Sequence, residues 1–114
     1  MISLLFIVAL QNPSTWNETM WSAFIAGEMN GKAEARTPDG SRVDILTKDY
    51  AYEVDWATKW KEAPAQSILY GVMTNRKPAV LLLVKNRNEE RRFILRCALV
   101  CSKVGIRFET RKVP

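Results

Sequence analysis

The chain has no histidine among its 114 residues. That removes imidazole acid–base catalysis, Ser-His-Asp triads and most zinc sites. There are two cysteines, Cys97 and Cys101. They lie four apart in an apolar, helical context, a spacing that sets them on neighbouring turns and not in a disulfide or a Cys-x-x-Cys site. They read as two buried thiols of a reducing compartment. Glycine and proline number five each, and no low-complexity stretch or repeat is present. No apolar run is long enough to span a bilayer, which needs about 20 residues. Met1–Leu10 is a nearly continuous apolar run, but it lacks a basic n-region and a clear small-residue cleavage site. It reads as a buried strand or helix start packing on a partner chain, with an export signal as the less favoured alternative.

What remains is one domain of ordinary size, 47% apolar and 25% charged. Such a chain can bury a core without staples. The net charge of +5 is unevenly spread. Residues 1–75 carry 6 Lys/Arg and 9 Asp/Glu, whereas residues 76–114 carry 11 and 3. An acidic pocket beside a basic flank suits an enzyme acting on a polyanion. Solvation of the later elements accounts for the same charges equally well.

Asn12-Pro13-Ser14 breaks the first run. Thr15-Trp16-Asn17-Glu18 has the Thr-x-x-Glu form of a capping box, and Trp16, Met20, Phe24 and Trp21, Ile25 follow at helical spacing. Lys32–Thr37 and Ser41–Thr47 predict a hairpin turned at Pro38-Asp39-Gly40, and Tyr50–Trp56 a third strand. Ala57–Met73 is helical in pattern, and Pro64 should kink it or start a second helix. Ala79–Val84 suits a strand buried on both faces. Asn88–Lys103 predicts a helix with Phe93, Cys97, Val100 and Cys101 inward, and Ile106–Lys112 a last strand. The order α-β-β-β-α-β-α-β predicts an α/β fold, a mixed β-sheet flanked by helices.

Side chains alternate along a strand, so Glu53 and Asp55 share one face and Val54 enters the other layer. If the strands pair, Asp44 and Glu53 meet at one end of the sheet. Carboxylates at close range repel unless a cation binds them, and such oxygen ligands select Mg²⁺ or Mn²⁺. Apolar neighbours flank both acids, which makes an unpaired charge there expensive. At about 100° per residue, Lys59, Gln66 and Tyr70 fall on one helix stripe, suited to a phosphate and a catalytic water.

Asp44, then Glu53-Val54-Asp55, then Gln66-Ser67-Ile68-Leu69-Tyr70 resembles the PD-(D/E)XK nuclease superfamily, and more narrowly its Gln-x-x-x-Tyr, RecB-type branch. Glu53-Val54-Asp55-Trp56 with Lys59-Trp60-Lys61-Glu62-Ala63 is also similar to small phage and bacterial proteins that carry a Glu-Val-Asp-Phe-type strand followed by Lys-Trp-x-Glu-Ala. The element order supports the likeness over about residues 14–112. The resemblance implies a restriction-endonuclease-like sheet and a Mg²⁺-dependent deoxyribonuclease of the bacterial cytoplasm. Asp44 and Glu53 would bind metal with the Val54 carbonyl, and Glu18 would add an acid from the first helix. Glu28 and Glu34 are rivals for that last role. The family's usual final lysine is Asp55 here; Lys59 is placed to supply the cation, with Asp55 as an extra ligand or as its holder. Gln66 and Tyr70, with Arg42 and Lys61, would contact DNA, and two copies would grip a duplex better than one. The alternatives are a nuclease-fold subunit that binds nucleic acid without cutting it, and a small α/β domain of another class.

Overall fold

The structure, a computed structural model, describes residues 12–114. The expectations for Met1–Leu10 lie outside the described residues. Asn12 caps a short 3-10 turn, Pro13–Thr15. Helix α1 spans Glu18–Glu28, and its N-cap is Asn17, whose side chain accepts the Met20 N–H at 2.9 Å. The expected Thr15–Glu18 capping box is therefore not formed. Thr15 belongs to the preceding turn, and Glu18 is left free for other work.

Strands β1 (Lys32–Arg36), β2 (Arg42–Leu46) and β3 (Tyr50–Trp56) follow. Pro38-Asp39-Gly40 turns the first two, with Gly40 at φ +88° and the Asp39 carboxylate accepting the Ser41 N–H at 3.0 Å. A 3-10 segment, Ala57–Glu62, leads to helix α2 (Ala63–Thr74), strand β4 (Lys77–Val84), helix α3 (Arg87–Val104) and strand β5 (Arg107–Lys112). Pro64 starts a second helix here instead of kinking one, because a proline in the first turn gives up no intrahelical bond.

The protein is α/β, with a five-stranded mixed sheet in the order β1-β2-β3-β4-β5 and helices packed on it. The first three strands form an antiparallel meander; β3-β4 and β4-β5 are parallel. β4 is an interior strand with parallel neighbours on both sides, which is why Ala79–Val84 is apolar throughout and buried. On one face, Tyr52, Val54, Leu81 and Leu83 pack against Trp16, Trp21 and Ile25. On the other, Val80, Leu82 and Val84 meet Ala57, Ala63, Cys97 and Cys101. The two sulfurs are 4.0 Å apart and buried, as free thiols.

Helix α3 departs from its expected inward face. Val100 is exposed and Phe93 only half-buried, while Glu90, Cys97 and Cys101 point in. Glu90 is turned inward by the backbone N–H groups of Lys85 and Asn86, which its carboxylate accepts at 3.4 and 2.6 Å. Helices α2 and α3 leave Ile68, Val72, Leu95 and Leu99 exposed.

A small third cluster joins Ala35, Val43 and Ala51 to Tyr70 of α2. The next residue, Gly71, lets α2 lie close to the start of β4: a Cβ there would stand 2.8 Å from the Arg76 carbonyl oxygen and 3.4 Å from Pro78 N. Backbone cannot swing aside as a flexible side chain does. Gly71→Ala is expected to destabilise the protein by about 1–3 kcal/mol, read as a lower urea midpoint. An unchanged midpoint would show that α2 tolerates displacement.

Candidate active site at a fork between two strands

Pairing of β2 with β3 is regular at Leu46↔Ala51 and Ile45↔Tyr52 and then stops. The next position would set Asp44 against Glu53. There the ladder is replaced by a side-chain bond: the Val54 N–H donates to Asp44 Oδ2 at 2.8 Å. The strands thus part where the acids begin, and the two carboxylates share a hydrogen bond across the fork. Val54 itself enters the opposite core, as alternation requires.

Glu53 is 8% exposed. Burial pushes its carboxyl up to about 10, helped by the hydrogen bond and charge of Asp44 and by the charges of Asp55 and Glu18. It therefore holds a proton at neutral pH. Glu18, half-buried at the start of α1, is raised to about 7 by burial, then by the charge and hydrogen bond of Asp55. Asp55 is raised by burial and restrained by the Trp56 N–H, which it accepts at 2.8 Å, and by Glu18 and Lys59.

Glu34 lies between the pairs Ala33↔Ile45 and Ala35↔Val43, at the register position of Asp44. Its φ of +55° is left-handed within a strand, a conformation that costs a non-glycine residue of order 1 kcal/mol or more. Burial and the Asp44 charge raise its carboxyl, against the pull of Arg42. Tyr70, 8% exposed, roofs the group. Its phenol is pushed up by burial and by Glu53, Asp44 and Glu34. Glu18, Glu34, Asp44, Glu53 and Asp55 thus form one electrostatic group.

The remaining candidates are distributed differently from the sequence expectation. Lys59 is exposed at a kink of the 3-10 segment (φ −114°, ψ +29°), so the helix stripe with Gln66 and Tyr70 does not exist. Its ammonium acts on Glu18 and Asp55, lowering the carboxyl of each. Tyr70 points in, while Gln66 is exposed beside Lys61, Glu62 and Leu69. Arg42 and Lys61 are exposed at the rim. Glu28 is at the far end of α1, ion-paired with Arg111 at 2.6 Å, and plays no part in the group. A recess of about 430 Å³ opens between Asp55, Thr58, Lys59, Lys61 and Glu62.

The donors are all oxygen and mutually repelling, and their protons stand where a hard cation would serve as well. In that chemical sense they fit a divalent ion. Among the described residues, however, no three of them converge into a ready ligand set. They are arranged as two hydrogen-bonded pairs, Asp44–Glu53 and Glu18–Asp55.

No protein-family model, curated protein or solved structure matches this chain. Among the described residues, no helix is long and apolar enough to cross a membrane.

Proposed function

We propose that the chain is a metal-dependent nuclease hydrolysing DNA phosphodiester bonds, directed by DNA structure more than by sequence, on a restriction-endonuclease-like sheet. One observation carries this reading: five acids interact around the fork, with Glu53 buried and its carboxyl pushed up by that burial, beside an exposed lysine. Such a concentration of desolvated carboxyls is costly to a fold and characteristic of a working site.

Asp44, Glu53 and the Val54 carbonyl would hold Mg²⁺ or Mn²⁺. When bound, the ion supplies charge to the phosphate and acidity to a water. Glu18, near neutrality, takes and returns a proton at its carboxylate, a role that its pKa of about 7 suits better than ligation. Asp55 holds Glu18 and Lys59 in place, and the Lys59 ammonium meets charge developing on the phosphate. Arg42, Lys61 and Gln66 take the DNA backbone at the rim. The basic second half extends that surface, with salt-dependent affinity. Two copies gripping one duplex would use the apolar side chains left exposed on α2 and α3.

A second reading has its own support. The paired arrangement of the acids, with Asp55 where a lysine is usual, suits a subunit that binds nucleic acid without cutting it. Incubation with single-stranded, duplex and branched DNA in Mg²⁺, Mn²⁺ or EDTA separates the two. Metal-dependent cleavage of at least one substrate is expected. Binding without cleavage at micromolar protein would reject the enzyme.

A further inference from the structure

Beside the recess at Asp55 and Lys59 lies a second one of about 230 Å³, lined by Trp56, Thr58, Lys85 and Glu90. Trp56 and Lys85 stand at or just past the C-terminal ends of the paired strands β3 and β4. Thr58 lines both recesses, so the two adjoin. We propose that this recess receives one unpaired nucleobase of the DNA, stacked on Trp56, and so selects substrates with single-stranded character. The inference rests on the nuclease reading and names the substrate of that site.

Size, chemistry and placement agree. A cavity of roughly 150 Å³ accepts one six-membered aromatic ring, so the recess has room for a heterocycle. Trp56 is half-buried, anchored in the core on one side. Its ring already carries a cation, Lys85 Nζ, 4.9 Å from the centroid. A ring face that binds an ammonium also binds a base, because both meet the same π-surface. An arriving base displaces the ammonium, whose flexible stem keeps it near the flanking phosphate. Glu90 offsets the Lys85 charge in the recess: its carboxylate, fixed by the N–H groups of Lys85 and Asn86, leaves no net positive charge there to favour phosphate over a neutral ring. Thr58 lines this recess and also the one that holds Asp55 and Lys59, so a base on Trp56 directs its own backbone toward Lys59.

The test is binding in EDTA, where cleavage cannot intervene, by anisotropy of a labelled mixed-sequence single strand and of the same sequence as blunt duplex. Trp56→Leu is expected to weaken single-strand binding roughly 5- to 100-fold and duplex binding less than about twofold. Trp56→Phe, which keeps a stacking face, should retain most of the affinity. Equal losses on both DNAs, or none, would overturn the proposal. Should Trp56→Leu fail to fold, the wild-type protein still decides: an abasic oligomer of equal length must bind several-fold more weakly than the base-bearing strand. Equal binding of the two oligomers rejects the stacking site. Cleavage that persists with no difference between them leaves the nuclease standing without the platform. Preference for the base-bearing strand with no cleavage in Mg²⁺ leaves the platform without the nuclease.

Discussion

Glu53→Gln is expected to stabilise the metal-free protein at neutral pH and to abolish its cleavage of DNA. The two effects have one cause. The Glu53 carboxyl titrates near 10 in the folded chain against 4.5 ordinarily. Its raised value makes the linked stability full below pH 4.5 and progressively lost as pH rises toward 10. At pH 7 the folded carboxyl is held protonated against its tendency in water, at a cost on the order of 1–3 kcal/mol. Glutamine keeps the shape and can donate to Asp44 as the protonated acid does, without that cost. It cannot match a carboxylate in holding a divalent ion, so activity should fall by a factor of about 10³ or more. Thermal melts at pH 5 and pH 9 read the first effect. The wild type should lose stability across that interval, Glu53→Gln much less, and added Mg²⁺ should raise the melting temperature of the wild type alone. A variant less stable than wild type at pH 7 would show that Glu53 is a satisfied structural acid.

Lys59→Ala should leave the fold intact and slow cleavage by about 10²–10³, the usual cost of one electrostatic donor at a reacting oxygen. The side chain is exposed, so stability should move by no more than about 0.5 kcal/mol. The pH–rate profile distinguishes catalysis from simple DNA attraction. The Lys59 charge lowers the Glu18 carboxyl, whose value is about 7 with the lysine present. Removing it should move the acid limb of the profile to higher pH, and Lys59→Arg should restore that limb. A variant that cuts at the wild-type rate would transfer the cationic role elsewhere, with Lys61 in the same recess the next candidate.

The central part of this arrangement was legible in the sequence because it depends on alternation. Asp44 and Glu53 sit at mirrored positions of two adjoining strands, and a period of two sends them to one face. The continuous apolar run Ala79–Val84 likewise announced a strand buried on both sides. Cap selection was not legible. Asn17 and Thr15 are both competent N-caps, and Asn12-Pro13 settled the choice by closing its own turn around Thr15. The Lys59 stripe failed for a related reason: Pro64 fixes the start of α2, so the preceding residues follow 3-10 geometry and the 100° step does not apply. The left-handed Glu34 gives no sequence signal at all, since neither Ala33 nor Ala35 hints at a positive φ. The inward turn of Glu90 likewise gives no sequence signal, because it depends on the loop N–H groups of Lys85 and Asn86.

The fork also orders assembly. All five acids belong to α1 and the meander, where strands pair across short stretches of chain. The helix that roofs them with Tyr70, and the strands β4 and β5 that complete the sheet, come later in sequence and must close longer loops. Short loops cost less entropy to close. The meander is therefore the half that forms at lower entropic cost, and its like charges meet while water still screens them. Their repulsion reaches full strength only when the crossover layer settles and excludes that water. The chemistry of the fork is thus stored in the last interface to close, between a half that is local in the chain and a half that is not.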